Sequence, residues 1–165
     1  MPGTYREGEL DFAGTCVGIV DADSVLDGSK VEEGDVVVGL ASAGVHANGF
    51  TLVRRVLKRE DYDGDDLLAP TRLYLEDVRR LRPRAHAFAH VTGGGIEGNL
   101  ARVVPDGLCA RIEWDAWERP PVFAWLARHV DELELRRVFN LGFGYLAVVA
   151  EPEPGDLVVG RVECA

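Results

Sequence analysis

The stretch that decides the fold runs Asp35-Val36-Val37-Val38-Gly39-Leu40-Ala41-Ser42-Ala43-Gly44-Val45-His46-Ala47-Asn48-Gly49. Residues 35–41 are apolar at both alternating sets of positions, which is typical of a central strand covered on both faces. Small residues follow, and Asn48 is a good N-cap for a helix that buries Leu52 and Val56 on one face. The stretch therefore predicts a strand, a tight loop and a helix amino terminus in succession.

The same alternation of element types continues along the chain. Further strands are predicted over residues 14–22, 86–91, 109–112, 145–150 and 157–162. Further helices are predicted from Pro70 to Pro83, from the residues after Gly95, and from Pro120. Alternating strands and helices indicate a layered α/β or α+β sandwich, and 165 residues fit one domain, 1–165.

The first loop, residues 42–49, is a candidate anion site. Gly44 and its small neighbours let backbone N–H groups approach a ligand closely, and a helix amino terminus favours negative charge. His46 and Ser42 add side-chain donors. A plain strand-to-helix turn, in which Gly44 and Gly49 relieve backbone strain and Asn48 only caps, explains the same residues.

The second loop is Thr92-Gly93-Gly94-Gly95, again after a strand and before a helix. Three consecutive glycines are costly in chain entropy, so they require positive φ angles or a ligand close to the backbone. Asn99, one helical turn further on, faces the same loop or else lies on the surface. Two such loops at the same end of one sheet would form one crevice, where α/β proteins usually bind ligands.

Charge and composition exclude other classes of protein. The net charge of −10 argues against nucleic acid as a partner. No apolar run is long enough to span a membrane, so we expect a cytoplasmic protein. Cys16, Cys109 and Cys164 have no disulfide or zinc spacing, and we expect buried free thiols and no metal site. The acidic run 60–66 is expected to be a solvated loop. Arg54 and Arg72 lie close enough to the loops to touch a phosphate.

At these segments the sequence resembles phosphoribosylformylglycinamidine cyclo-ligase over nearly its whole length. The matching blocks are Met1-Pro2-Gly3-Thr4-Tyr5, Leu26-Asp27-Gly28-Ser29, residues 42–54, 68–74, 90–102 and 120–126, and Phe139-Asn140-Leu141-Gly142-Phe143-Gly144. Tyr145 departs from the family, which usually has methionine there. A Pro-rich link, 151–154, stands where the family places an amphipathic helix.

The resemblance implies a three-layer sandwich of the PurM carboxy-terminal-domain type, with a mixed sheet. It implies that the chain is the carboxy-terminal half of a two-domain homodimeric enzyme and that the amino-terminal ATP-binding domain is absent, with a fragment the favoured explanation. The reaction implied is ATP- and Mg²⁺-dependent closure of formylglycinamidine ribonucleotide to aminoimidazole ribonucleotide. This half alone is expected to be inactive, with no cofactor tightly bound.

The resemblance also implies roles for the loop residues. His46 would act on the substrate as a donor or proton carrier, and the phosphorylated ribonucleotide would be bound by Ser42, Gly44, Asn48, Thr92, Gly93, Gly94, Gly95 and Asn99. Two alternatives stay open. One is a non-catalytic module that binds a nucleotide phosphate, and the other is a sister enzyme of the thiamine-monophosphate kinase or selenophosphate synthetase type.

Overall fold

A computed structural model describes residues 8, 10 and 13–165. The Met1–Tyr5 block therefore lies outside the described residues. Among these residues there are five strands: β1 (Val36–Ala41), β2 (Ala85–His90), β3 (Leu108–Ile112), β4 (Phe143–Val149) and β5 (Val158–Cys164). The same residues include five α-helices: α1 (Phe50–Leu57), α2 (Leu75–Leu81), α3 (Gly95–Leu100), α4 (Pro121–Leu126) and α5 (Glu132–Val138). Short 3₁₀ turns cover Ala22–Ser24, Asp65–Leu67 and Arg82–Arg84.

The strands form one sheet in the order β2-β4-β1-β5-β3. Each of its four described pairings is antiparallel, so the mixed sheet expected from the family resemblance is wrong in this detail. The central strands β4 and β1 are buried along nearly their whole length. Their burial on both faces confirms the prediction made from residues 35–41.

Helices cover both faces of the sheet, which gives the three layers expected. Alternate residues of β1 point to opposite faces: Val36 and Val38 pack in the cluster that contains Leu81 of α2. Val37 packs in the cluster that contains Ile96 and Leu100 of α3. The period-two alternation of a strand thus divides the apolar residues of β1 between two separate cores.

A third apolar cluster lies among the helices rather than on the sheet. It joins α1, α4 and α5 through fully buried Phe123, Trp125 and Leu135, and it includes Val45 of the first loop. Phe139 and Leu141, which precede β4, are also buried there. This cluster fixes the first loop and the start of β4 relative to each other.

Several boundaries differ from those expected from the sequence. Residues 14–22 form no strand in the structure, since none of their backbone groups bonds to a described strand. They are also exposed. The N-cap of α1 is Gly49 rather than Asn48. Helix α2 begins at Leu75 and not at Pro70, because Arg72 and Tyr74 are held against the end of β1 instead. No bounds were predicted for helix α5.

The cysteine prediction is also wrong, because Cys16, Cys109 and Cys164 are all exposed. Cys109 lies on the edge strand β3, whose side chains are only partly covered, and Cys164 ends β5. Apolar neighbours in the sequence therefore did not place these thiols in a core. No described helix has the length and the apolar character needed to cross a membrane.

Candidate functional site

The ends of β1 and β2 flank the beginning of β4. Tyr145 of β4 is paired with Leu40 on one side and with His90 on the other. β1 and β2 therefore run in the same direction with one strand between them, about 10 Å apart at ordinary strand spacing. The loops that follow them, 42–49 and 91–95, therefore leave the sheet at the same edge, by which we mean the end where β1 and β2 finish and β4 begins. This confirms the geometry predicted from the sequence.

Residues 137–144 hold both loops through backbone hydrogen bonds. The Ser42 amide donates to the Gly142 carbonyl at 2.7 Å, and the Val91 amide donates to the Gly144 carbonyl at 2.9 Å. The Gly94 amide donates to the Arg137 carbonyl at 3.1 Å. The chain that enters β4 is therefore the common support of the candidate site.

Asn140 is the side chain that ties the first loop to this support. It is 4% exposed, and its amide nitrogen donates to the Gly44 carbonyl at 2.8 Å and to the Val45 carbonyl at 3.3 Å. Its amide oxygen accepts from the Ser42 hydroxyl at 3.0 Å and from the Gly142 amide at 2.9 Å. All four hydrogen bonds of this buried amide therefore go to the first loop and to the start of β4.

His46 lies in the first loop in an uncommon conformation. Its φ is 59°, and Leu141, at the entry to β4, has φ 49°; these are the two non-glycine residues with positive φ among those described. Side chains with a Cβ disfavour this region, and such residues persist where the surrounding structure holds them. The backbone strain of the described part is therefore concentrated at this edge of the sheet.

The ring of His46 is buried and only half satisfied. It is 6% exposed, and its Nε2 accepts from the Ala43 amide at 3.1 Å. Its Nδ1 is buried with no hydrogen-bond partner in the described part of the chain. Gly144 of β4 lies against this ring, and a Cβ there would collide with it and with the Tyr74 hydroxyl.

The surroundings of His46 keep the ring neutral. Burial lowers the pKa of His46, and the charge of nearby His90 lowers it further. Since Nε2 accepts a hydrogen bond, the proton of the neutral ring resides on Nδ1. His46 therefore presents a buried N–H donor that has no acceptor among the described residues.

The glycines of the first loop are required by protein packing. Gly44 has φ 145°, and a Cβ there would collide with the Asp66 carbonyl oxygen. Asp66 in turn accepts from the Tyr62 hydroxyl at 2.7 Å and from the Val122 amide at 3.0 Å. The end of the acidic run 60–66 is therefore structural, in contrast to the solvated loop expected.

The glycines of the second loop divide into two kinds. Gly95 has φ 65°, and a Cβ there would collide with the Arg136 carbonyl oxygen, so this glycine permits close contact with α5. Gly93 has open space around its Cβ position and is exposed. Of the three consecutive glycines, Gly93 is therefore the one whose backbone leaves most room for a ligand.

Asn99 supports the second loop in the same way as Asn140 supports the first. It is 3% exposed, and its amide nitrogen donates to the Gly95 carbonyl at 2.6 Å and to the Thr92 carbonyl at 3.3 Å. Its amide oxygen accepts from the Thr92 hydroxyl at 3.2 Å and from Arg102 at 3.1 Å. Its polar atoms face the loop.

An aromatic row crosses the sheet beside the first loop. The Tyr145 ring stacks between His90 and Tyr74, with ring centroids 5.6 Å and 5.3 Å apart. The Tyr74 hydroxyl donates to the Ala41 carbonyl at 3.0 Å, and burial raises the pKa of Tyr74 to about 12. Arg72 donates to the same carbonyl at 3.1 Å and pairs with Asp77 at 2.6 Å.

The structure brings the predicted residues together at one edge but gives them different surroundings. Ser42, Gly44 and His46 lie in the first loop against Asn140, and Asn48 is half-buried before α1. Thr92 and the three glycines form the second loop. Arg72 contacts the end of β1, whereas Arg54 is exposed on α1.

Two supporting residues were missed as site residues. Asn140 lay inside a block already noted, Phe139 to Gly144, and an asparagine between apolar residues at a strand entry was the available signal. Tyr74 lay inside the predicted helix Pro70–Pro83 and the matching block 68–74, and neither gave it a role at the site. Its role depends on a contact with a residue 33 positions away, which no local pattern shows.

The edge is open to solvent on the side away from the sheet. Ala43, Ala47, His90 and Gly93 are all exposed there. Within the described residues, no three side chains of His, Cys, Asp or Glu converge as a metal site would require. What this edge offers a ligand is therefore N–H donors, hydroxyl oxygens that can accept, aromatic rings and the Arg72 guanidinium.

Comparison with known proteins identifies the family. Residues 32–160 match the family described as AIR synthase related protein, C-terminal domain. A phosphoribosylformylglycinamidine cyclo-ligase from Burkholderia lata is 42% identical over 179 residues, covering 100% of this chain and 51% of the relative. One from Burkholderia mallei is 43% identical, covering 94% of this chain and 48% of the relative. The chain thus spans about half the length of these curated relatives.

Two solved structures share the fold at low sequence identity. AaThiL, complexed with AMPPCP and TMP, superposes with a TM-score of 0.54 and 18% identity, covering 85% of this chain and 48% of that one. Thiamine monophosphate kinase from Aquifex aeolicus gives a TM-score of 0.51 and 16% identity, covering 84% and 50%. Because the family match spans most of the described fold, this chain belongs to the AIR synthase related proteins, of which it contains the C-terminal domain.

Proposed function

We propose that this chain forms the substrate side of a phosphoribosylformylglycinamidine cyclo-ligase active site. The whole protein would close formylglycinamidine ribonucleotide to aminoimidazole ribonucleotide at the expense of ATP. The names of relatives 42% and 43% identical support this reaction. The observation that carries the proposal is the buried Nδ1–H of His46, which lacks an acceptor at the edge where both loops meet.

The first role of this edge is to bind the phosphate of the substrate. Gly49, the N-cap of α1, makes no side-chain capping bond, so the first amides of this eight-residue helix are not satisfied by a cap. Free amides at a helix amino terminus bind phosphate, because they donate hydrogen bonds and the helix dipole favours negative charge. We assign the phosphate to residues 47–50, where Asn48 would lie beside it. We place Arg72 on the same side of the phosphate site.

The second role is to stabilise charge on the reacting part of the substrate. With Nε2 occupied and the pKa lowered, His46 donates a hydrogen bond from Nδ1 to a substrate oxygen and does not act as a base. Gly93 and the Thr92 hydroxyl face the same substrate from the second loop. Ser42, Gly44, Gly94 and Gly95 shape the loops, and Asn140 and Asn99 position them.

In this proposal ATP and Mg²⁺ are bound by the rest of the protein and not by this chain. The described residues offer no converging set of metal ligands, so no step that requires the metal is assigned to them. We place both in the portion of the relatives that this chain does not span. That portion would supply the ATP-binding domain and most contacts of a homodimer.

Binding of the substrate by this chain alone tests the phosphate assignment. Formylglycinamidine ribonucleotide should shift the NMR signals of the amides at 42–50 and 92–95, with weak affinity. The riboside without phosphate should leave the signals at 47–50 unchanged, and thiamine monophosphate should bind less well than the substrate. If the substrate shifts neither loop at millimolar concentration, the proposed site is wrong.

A hybrid enzyme tests the role of His46. In this hybrid, the present chain replaces the aligned portion of the Burkholderia lata relative, and ring closure is measured directly. His46→Ala should lower kcat/KM at least about tenfold, the loss of one charge-stabilising donor. His129→Ala is the matched control and should leave kcat/KM unchanged. His129 lies just after α4, on the far side from the two loops, and pairs with Glu60. An unchanged kcat/KM for His46→Ala would remove it from catalysis, and an inactive hybrid would count against the reaction itself.

A further inference from the structure

His90 lies at the candidate site but has no role in the chemistry described so far. It is the last residue of β2 and is exposed. Val91, the next residue, is buried, and its amide donates to the Gly144 carbonyl at 2.9 Å. The second loop begins at Thr92. His90 therefore stands beside β4 at the edge where both loops leave the sheet, with its ring open to a ligand.

The four histidines of the chain differ in how their ring nitrogens are used. His46, His86 and His129 each use one ring nitrogen in a hydrogen bond within the protein. Among the described residues, none forms such a bond with the ring of His90. Both nitrogens of this exposed ring can therefore exchange a proton with a bound ligand or with water.

Stacking holds the His90 ring beside the residues that contact His46. The ring centroid of His90 lies 5.6 Å from that of Tyr145, and the two ring planes meet at 27°. Gly144, the residue before Tyr145, has no partner in the pairing of β4 with β1, so β4 bulges there. A Cβ on Gly144 would collide with the His46 ring. The bulge thus brings both histidines close to two consecutive residues of β4.

The two histidines differ in surroundings although they are neighbours. Burial is the larger cause of the lowered pKa of His46, and the charge of nearby His90 lowers it further. The rings are therefore close enough to interact electrostatically. His46 is buried and neutral, and it presents an N–H donor, whereas His90 is exposed. One ring is suited to donating a hydrogen bond and the other to taking up and releasing protons.

Ring closure needs a proton acceptor in addition to a hydrogen-bond donor. The amidine nitrogen that bears the ribose forms a bond to the formyl carbon, whose oxygen has received the phosphoryl group of ATP. This nitrogen ends with three bonds to carbon, so it must lose its proton. The bond from the formyl carbon to the phosphorylated oxygen then breaks, and phosphate leaves with the electron pair. A shift of one methylene proton to the exocyclic nitrogen completes the aminoimidazole.

We infer that His90 is the general base of this ring closure and takes the proton from the attacking amidine nitrogen. The inference rests on the proposed function, because it assigns a further residue to that reaction. The attacking nitrogen and the formyl oxygen both meet the formyl carbon, so a base and a donor must approach one small group together. His46 and His90 flank the start of β4 from the β1 side and the β2 side. Because His90 is exposed, it can release the proton to water before the next turnover.

Two substitutions in the hybrid with the Burkholderia lata relative test the inference. His90→Gln keeps a side chain of similar size that still forms hydrogen bonds but cannot take up a proton. It should lower kcat at least about 100-fold and change KM by less than about threefold. His90→Ala should show the same loss. Added imidazole should raise the kcat of His90→Ala at least about tenfold, and more basic substituted imidazoles should raise it further.

His129→Ala is the control, because His129 pairs with Glu60, and its kcat should be unchanged and independent of imidazole. An active hybrid in which His90→Gln leaves kcat unchanged would overturn the inference and leave the proposed function intact. A loss in both His90 variants that no imidazole restores would also overturn it, since His90 would then support the loop without accepting a proton. A hybrid that closes no ring would refute the proposed function, and the assignment of His90 with it.

Discussion

Replacing Asn140 with alanine should destabilise the protein more than replacing any single polar side chain of the first loop. Asn140 is buried and makes four hydrogen bonds, between 2.8 and 3.3 Å, to Ser42, Gly44, Val45 and Gly142. Asn140→Ala removes all four and leaves two carbonyls, an amide and a hydroxyl without this partner. The loop would then lose its attachment to the start of β4.

The magnitude follows from the number and the burial of these bonds. A neutral hydrogen bond contributes about 1 kcal/mol net, and a buried group left unpaired costs about 1–3 kcal/mol. The 3.3 Å bond shares its donor with the 2.8 Å bond and adds little. Partial relaxation of the loop lets water reach some of the groups. We therefore expect Asn140→Ala to lower the free energy of unfolding by about 2–4 kcal/mol.

Urea denaturation followed by tryptophan fluorescence measures this difference. Asn48→Ala is the matched control, since Asn48 is half-buried and makes no capping bond to α1; its change should stay within about 0.5 kcal/mol. Ser42→Ala removes one of the four bonds and should cost about 1 kcal/mol. If Asn140→Ala costs less than about 1 kcal/mol, Asn140 does not hold the loop and the account of the site is wrong.

Two further predictions concern charge. NMR titration should show His46 neutral with its proton on Nδ1, and with its pKa below the ordinary 6.5. The pKa of His46 is lower in the folded state, so the unfolded state binds the proton first as pH falls. Protonation of His46 should therefore lower the free energy of unfolding below about pH 6.5. His46→Gln should remove this part of the pH dependence. Titration above 6.5 would contradict this. For Glu132, paired with Arg119 at 2.6 Å and with Arg136, the pKa falls from 4.5 to about 2, so its stabilising contribution is complete above 4.5 and disappears as pH falls toward 2. Its side chain is 43% exposed, so a double-mutant cycle of Glu132→Gln with Arg119→Ala at pH 7 should give less than about 1 kcal/mol, and a larger coupling would refute the expected solvent screening.

Local sequence patterns predicted most of the helices and strands, because the apolar periodicity of an element is set by neighbouring residues. The apolar run 35–41 is β1, and the glycines at 93–95 do lie between β2 and α3. From the sequence we considered the loops 42–49 and 92–95 at one end of the sheet, and the structure places them there. The reason is that β1 and β2 are both antiparallel to β4, the strand between them.

Other features failed because they depend on contacts between distant residues. A pattern of alternating apolar residues cannot reveal which sheet a strand joins, and residues 14–22 are left without a partner in the described chain. Strand direction is equally invisible, so the sheet expected to be mixed is antiparallel in every described pairing. Exposure of the cysteines follows from their positions at an edge strand, at a strand end and in the unpaired segment.

The amino-acid sequence alone determined the family, the layered architecture and the two loops that carry the candidate chemistry, because these depend on residue types in a fixed order. Only the tertiary structure decided how the loops are held. Asn140 reaches residues 96 and 95 positions earlier in the chain, and the neutral state of His46 results from its burial beside Gly144 and the nearby His90. Hydrogen bonds and desolvation of this kind arise only when distant segments pack together, and no pattern along the chain encodes their distances.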